Sequence, residues 1–127
     1  MVDDTETTPQ AARVLLVEDD PVAAEVLRTG LDTLGCDVTV VGSGEEAMAC
    51  LNVRDFDWLL ADIVLPGPVD GWTVGNEFRL RHPTRPVVFI SAYEQKDLSR
   101  RPFRSEFLYK PVRPAQLLGL FRQLRAA

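Results

Sequence analysis

The sequence predicts an α/β fold, a doubly wound sheet of five parallel strands with helices on both faces, and three observations carry that expectation. Short, continuously apolar runs recur along the 127 residues, the pattern of strands covered on both sides. Amphipathic stretches with helix start and stop signals fall between them. The chain, 46% hydrophobic, suffices for one core and is short for two. Strands alternating with helices close a parallel sheet by crossovers, and ligands of such sheets bind beyond the carboxyl ends of the strands.

Residues 1–12, rich in Asp, Glu and Thr with Pro9, show no apolar period and read as a flexible lead-in, leaving 13–127 as the folded domain. Arg13 to Val17 reads as the first strand. Asp20 is a helix N-cap with Pro21 behind it, and Val22, Ala23, Val26, Leu27, Leu31 and Leu34 follow at helical spacing up to Gly35. Val38 to Val41 makes the second strand, and Ser43 to Glu46 is a capping box opening a helix through Ala47, Met48, Cys50 and Leu51. Trp58 to Val64 is a third strand whose single charge is Asp62, a costly residue in an apolar run unless it is used.

The segment Leu65 to Gly71 leads into a helix carrying Trp72 and Phe78, stopped at His82-Pro83, where His82 is expected as a cation near the helix C-terminus. Pro86 to Ser91 is the fourth strand. From Ala92 to Glu106 the helical pattern is poor: Pro102 and basic residues interrupt it and Leu98 and Phe103 are its only anchors, so any helix there is short or irregular. Phe107 to Tyr109 is the fifth strand, and Ala115 to Arg125 a final helix on Leu117, Leu118, Phe121 and Leu124.

Composition excludes several classes. No apolar run reaches the ~20 residues of a membrane span, and the acidic start is unlike a secretory leader, which implies a cytoplasmic protein without membrane insertion. Cys36 and Cys50 fit neither a Cys-x-x-Cys pair nor a zinc site and read as reduced packing residues. The net charge of −5 hides 16 acids against 3 bases in residues 1–77 and 3 acids against 11 bases in 78–127. An acidic balance argues against direct nucleic-acid binding. Lys96, Arg100, Arg101 and Arg104 form a local basic cluster that either is a solvated face or recruits an acidic partner.

Unusual polar residues close four strands: Glu18, Asp19 and Asp20 after the first, Asp62, Ser91 and Lys110 at the others. Carboxylates on neighbouring strands ~4.8 Å apart repel by roughly 3 kcal/mol at an effective dielectric constant near 20, so a cation is required. Mg²⁺ suits such an open cluster, with Mn²⁺ a substitute, and Lys110 adds a fixed point charge. Asp62 then reads as a carboxylate nucleophile toward a phosphoryl donor.

These residues resemble the receiver domain of response regulators in two-component signalling: V-E-D-D after strand one, L-L-A-D ending strand three, L-P-G with a following D-G, I-S-A after strand four, and Y-K-P after strand five. The resemblance covers roughly residues 13–125. It implies a flavodoxin-like strand order 2-1-3-4-5, a metal site of Glu18, Asp19, Asp62 and the Val64 carbonyl, phosphorylation at Asp62, a switch hydroxyl at Ser91, a switch aromatic at Phe107 and a phosphate-contacting Lys110. Val64 and Tyr93 match the positions that tune hydrolysis, and their apolar and aromatic character implies slow dephosphorylation. The implied partner is a histidine kinase or histidine phosphotransfer protein in a phosphorelay, and the chain would catalyse only its own phosphorylation and dephosphorylation, either as a stand-alone regulator or as the receiver part of a hybrid kinase. The loop after Pro66 is one residue longer than the commonest form, and the stretch from Ser91 to Lys110 is shorter than usual. A degenerate receiver acting only as an interaction module would not need the intact Glu18, Asp19, Asp62, Ser91 and Lys110. An aspartate-nucleophile phosphohydrolase needs a second acid two residues on, where this chain has Val64.

Overall fold

The computed structural model describes residues 11–126. In chain order the elements are β1 (Arg13–Val17), α1 (Pro21–Thr33), β2 (Asp37–Val41), α2 (Gly44–Val53), β3 (Trp58–Asp62), α3 (Gly71–Arg81), β4 (Val87–Ser91), β5 (Ser105–Tyr109) and α4 (Pro114–Ala126). The five strands form one parallel sheet in the order β2-β1-β3-β4-β5, as the resemblance implied.

Side-chain alternation splits the core across the sheet. Leu15, Val17, Leu59, Ala61 and Phe89 point to the face covered by α2 and α3, where they meet Leu51, Trp72 and Phe78. Val14, Leu16, Leu60, Val88 and Ile90 point to the face covered by α1 and α4, meeting Leu27, Leu31, Leu117 and Phe121. Cys36 belongs to the second cluster and Cys50 packs against the first, so the sheet separates them.

Local chemistry sets the helix ends. Asp20, Ser43 and Asp70 each cap a helix, accepting from the amides of Val22, Glu46 and Thr73. Gly35, at φ 84°, carries the chain out of α1. A Cβ at Gly71 would lie 2.1 Å from the Asp62 carbonyl oxygen, so glycine alone lets the start of α3 sit against the end of β3.

One expectation is sharpened and one changes. The segment 92–104, expected to hold at most a short or irregular helix, is irregular throughout: no helical element lies between β4 and β5. With Pro102 in it and few apolar anchors, it crosses as an irregular strap and enters β5 through Arg104 at φ 59°, a left-handed conformation rare outside glycine. His82 does cap α3, but it is not the expected cation. Burial, then the Arg85 charge, pushes its pKa below the ordinary histidine value despite Asp55 at 3.4 Å. Residues 1–10 of the expected lead-in lie outside the described residues. Ala12 already belongs to the fold, since its carbonyl accepts from the Asp37 amide and its side chain packs on the core.

Candidate functional site

The carboxyl ends of β1, β3, β4 and β5 bring Glu18, Asp19, Asp62, Ser91 and Lys110 to one edge of the sheet. Parallel register aligns Val17 with Ala61, Asp62 with Ile90, and Ser91 with Tyr109, so the next residue along each strand emerges at that edge. Oxygens of Glu18, Asp19 and Asp62 lie within 4.8 Å of one another. Glu18 and Asp62 are only 2% and 6% exposed, whereas Asp19 faces solvent. Buried carboxylates so close together need counter-charge.

Lys110 supplies part of it. Its Nζ lies 2.6 Å from Asp62 Oδ2 and 2.5 Å from Glu18 Oε1, and its amide donates to the Ser91 carbonyl at 2.8 Å, which ties the end of β5 to β4. Burial alone would lower the lysine pKa; the two carboxylates outweigh it and raise it above the ordinary value, so the ammonium stays charged. Glu18 is pushed the other way. Burial raises its pKa, with Asp62 adding to the rise, and the opposing Lys110 ammonium and Asp20 amide do not cancel it.

The remaining oxygens are unequally served. Asp62 Oδ1 accepts from the Val64 amide at 3.0 Å, and Glu18 Oε2 from the Asp20 amide at 3.3 Å. Glu18 Oε1, although beside Lys110, is buried and off the direction of a hydrogen bond from any donor among the described residues. A buried carboxylate oxygen held by an ion pair but by no hydrogen bond, beside two further acids, is the donor set a hard divalent cation takes. The residues present therefore fit a magnesium-type ion.

Ser91 is buried, and its hydroxyl is engaged by the strap. It donates to the Tyr93 carbonyl and accepts from the Tyr93 amide at 3.2 Å and Gln95 Nε2 at 3.1 Å. Val64 and Tyr93, 68% and 76% exposed, stand on the rim. Phe107 is half-buried, its ring centroid 5.7 Å from Phe89 and 5.9 Å from Trp72, with the Arg101 guanidinium 4.6 Å from its face. Of the basic cluster, Arg100 is paired with Asp70, Arg101 is bonded to Ser105 as well as stacked on Phe107, and Arg104 lies over Phe103.

Motif reading missed several residues around the site. Glu45 Oε1 accepts from the Val69 amide at 3.0 Å and holds the loop after Pro66. Arg79, on α3, donates to the carbonyls of His82, Arg85, Phe103 and Arg104. An arginine in the last turn of a helix carries no sequence signal for such a role. Gln95 likewise sits in a segment without periodicity.

Comparison with known proteins agrees with this geometry. The profile of the family described as response regulator receiver domain matches residues 14–122. The luminescence regulatory protein LuxO of Vibrio campbellii is 33% identical over 105 residues, covering 80% of this chain and 23% of that protein, so the chain spans about a quarter of that regulator's length. A response regulator receiver protein from Sinorhizobium medicae superposes with a TM-score of 0.86 at 32% identity, covering 93% of this chain and 97% of the other. The receiver domain of the sensor histidine kinase PA1611 from Pseudomonas aeruginosa, whose crystal structure has a magnesium ion coordinated in the active site cleft, gives 0.80 at 26% identity over 92% and 99% of the two chains.

Proposed function

The chain belongs to the response regulator receiver domain family, and from that premise we propose that it is a phospho-switch whose acceptor is Asp62. The observation that carries the reading is the position of Asp62: a buried carboxylate at the end of β3, 2.6 Å from the Lys110 ammonium and within 4.8 Å of the acids of Glu18 and Asp19. An Asp62 oxygen attacks the phosphorus of a phosphohistidine, the P–N bond breaks, and the imidazole leaves with a proton, forming an acyl phosphate. Lys110 pairs with phosphoryl oxygens as charge develops on them, while Glu18 and Asp19 remain as fixed acids.

Glu18, Asp19, Asp62 and the Val64 carbonyl would hold Mg²⁺, or Mn²⁺ in its place. When bound, the ion neutralises oxygens of the transferring phosphoryl group. The Ser91 hydroxyl supports the switched state by turning to a phosphoryl oxygen, and Phe107, half-buried at the edge of the Trp72–Phe89 cluster, is the aromatic that follows. Exposed Val64 and Tyr93 shield the acyl phosphate and slow its hydrolysis. The partner is a histidine kinase or histidine phosphotransfer protein in the cytoplasm; no helix among the described residues is long and apolar enough to cross a membrane. The domain acts on itself alone rather than as an enzyme with other substrates.

Acetyl phosphate or beryllofluoride with Mg²⁺, followed by intact mass and backbone NMR, tests this on wild type and Asp62→Asn. One phosphoryl group on the wild type and none on the variant is the expected result. An unmodified wild type with unshifted resonances would defeat it.

A further inference from the structure

The strap of residues 92–104 is fastened to α3 as well as to the sheet. Asn76 Nδ2 donates to the Arg100 carbonyl at 2.7 Å, and Arg79 donates to the carbonyls of Phe103 at 2.8 Å and Arg104 at 2.9 Å. The Arg100 side chain completes the attachment. Its two terminal nitrogens reach the two oxygens of Asp70 at 2.6 and 3.2 Å, and one of them also donates to Thr73 Oγ1 at 2.9 Å. A two-pronged guanidinium–carboxylate pair fixes orientation as well as distance.

Asp70 is not an arbitrary anchor. It caps α3 through the Thr73 amide at 3.0 Å and closes the loop that begins at Asp62. Arg100 therefore ties together the two segments that flank the acceptor, the loop leaving β3 and the strap leaving β4. Between them lies a cavity of about 380 Å³ lined by Val64, Leu65, Asp70, Gln95, Asp97 and Arg100. At its near end Gln95 holds the Ser91 hydroxyl, so the strap touches the acceptor end at one point and α3 at the other. With no helix or strand of its own, the strap is held by such side-chain ties, by Arg101 on Ser105 and Phe107, and by buried Pro102 rather than by a repeating backbone ladder.

We propose that Arg100 is a positioning residue for the chemistry at Asp62: its pair with Asp70 holds the strap against the acceptor loop, restricts water in the cavity between them, and so prolongs the acyl phosphate. This rests on the reading of Asp62 as the acceptor. In the step it restrains, a water oxygen attacks phosphorus, the bond from phosphorus to the Asp62 oxygen breaks, and Asp62 returns to a carboxylate as inorganic phosphate and a proton leave. Arg100 touches none of these atoms and acts through the placement of the strap.

The test follows decay of phospho-Asp62 in Mg²⁺ after the acetyl phosphate is removed, in wild type, Arg100→Gln and Arg100→Lys, at low and high salt. Hydrogen exchange of the amides of 92–104 is measured in parallel on the unmodified proteins. Arg100→Gln should shorten the lifetime about threefold, the scale of a half-exposed ion pair. It should also abolish the shortening that salt causes in the wild type and speed exchange in the strap while sheet amides are unchanged. Arg100→Lys, which keeps the charge and loses the second prong, should restore part of the lifetime. Strap amides in Arg100→Gln that exchange as in the wild type, or that loosen while phospho-Asp62 decays at the wild-type rate, overturn the proposal. A wild type that takes up no phosphoryl group overturns the acceptor reading and this one with it, an outcome distinct from two modified proteins that decay alike.

Discussion

The connections on either side of β4 solve the same problem by different physics. Between β3 and β4 the chain builds α3, whose Trp72, Val74 and Phe78 are buried against the sheet, each worth roughly 1.5–3 kcal/mol. Between β4 and β5 the strap is tied by side-chain hydrogen bonds from Asn76 and Arg79 and by the Arg100–Asp70 pair, contacts worth about 0.5–1.5 kcal/mol each. A parallel crossover can thus dispense with its helix when a neighbouring helix lends donors to the strap's carbonyls. The acidic cluster sits on the apolar-built side, and Ser91 at the start of the polar-built one.

The largest expected contrast is between a core residue of α3 and a half-exposed one of the strap, where Leu98, expected from the sequence as an anchor, is 46% exposed. Phe78→Ala, which empties a fully buried site under α3, should cost ~3–5 kcal/mol, while Leu98→Ala in the strap should fall within ~0.5 kcal/mol, both read by urea unfolding. Comparable losses would mean that the strap is packed as firmly as α3. Gly71→Ala comes next: its Cβ meets the Asp62 carbonyl oxygen, and overpacking against backbone should cost about 1–3 kcal/mol and displace the acceptor, which NMR of the Asp62 amide would register. Gly119→Ala, with open space around it in α4, is the control, and a stable Gly71→Ala with an unmoved Asp62 resonance would break the argument. Arg79→Ala should cost ~1–3 kcal/mol by leaving the partly buried carbonyls of His82 and Arg85 without their donor, and it also releases the exposed strap carbonyls of Phe103 and Arg104, so exchange should rise in the strap before it rises in β4. Uniform loosening of both segments would deny that Arg79 separates them.

The same division explains what was legible in the sequence. Every strand and all four helices announce themselves through apolar period and caps, and the structure moves the strand ends by at most two residues: β3 stops at Asp62 rather than Val64, and β5 starts at Ser105 rather than Phe107. Glu18, Asp19, Asp62, Ser91 and Lys110 were legible because a parallel sheet delivers strand ends to one edge whatever lies between them. Arg79, Asn76 and Gln95 were not. Their partners are mostly main-chain carbonyls of an irregular segment, and no side-chain pattern encodes where a carbonyl will point. The basic cluster is exposed, as a solvated face would be, but charge in sequence says nothing of pairing, and Arg100 is engaged by an acid 30 residues away.

The smallest predicted effect separates the two regions by acid. Asp70 is partly buried, which would raise its pKa, but Arg100 and the Thr73 amide and hydroxyl outweigh that and hold it below the ordinary aspartate value of about 3.9. A depressed pKa gives a contribution present above the unfolded value and lost as pH falls through the folded one, so the clamp should survive mild acid. Glu18 runs opposite: burial raises its pKa, its carboxyl takes up a proton above the ordinary glutamate value of about 4.3, and the strain of a buried charge is relieved as pH falls through that range. In a carboxyl ¹³C NMR titration Glu18 should therefore protonate before Asp70 as pH falls, with strap amide shifts following Asp70. Strap resonances that move with Glu18 instead would mean that the strap answers to the acidic cluster directly, and that the Asp70–Arg100 pair is not what holds it.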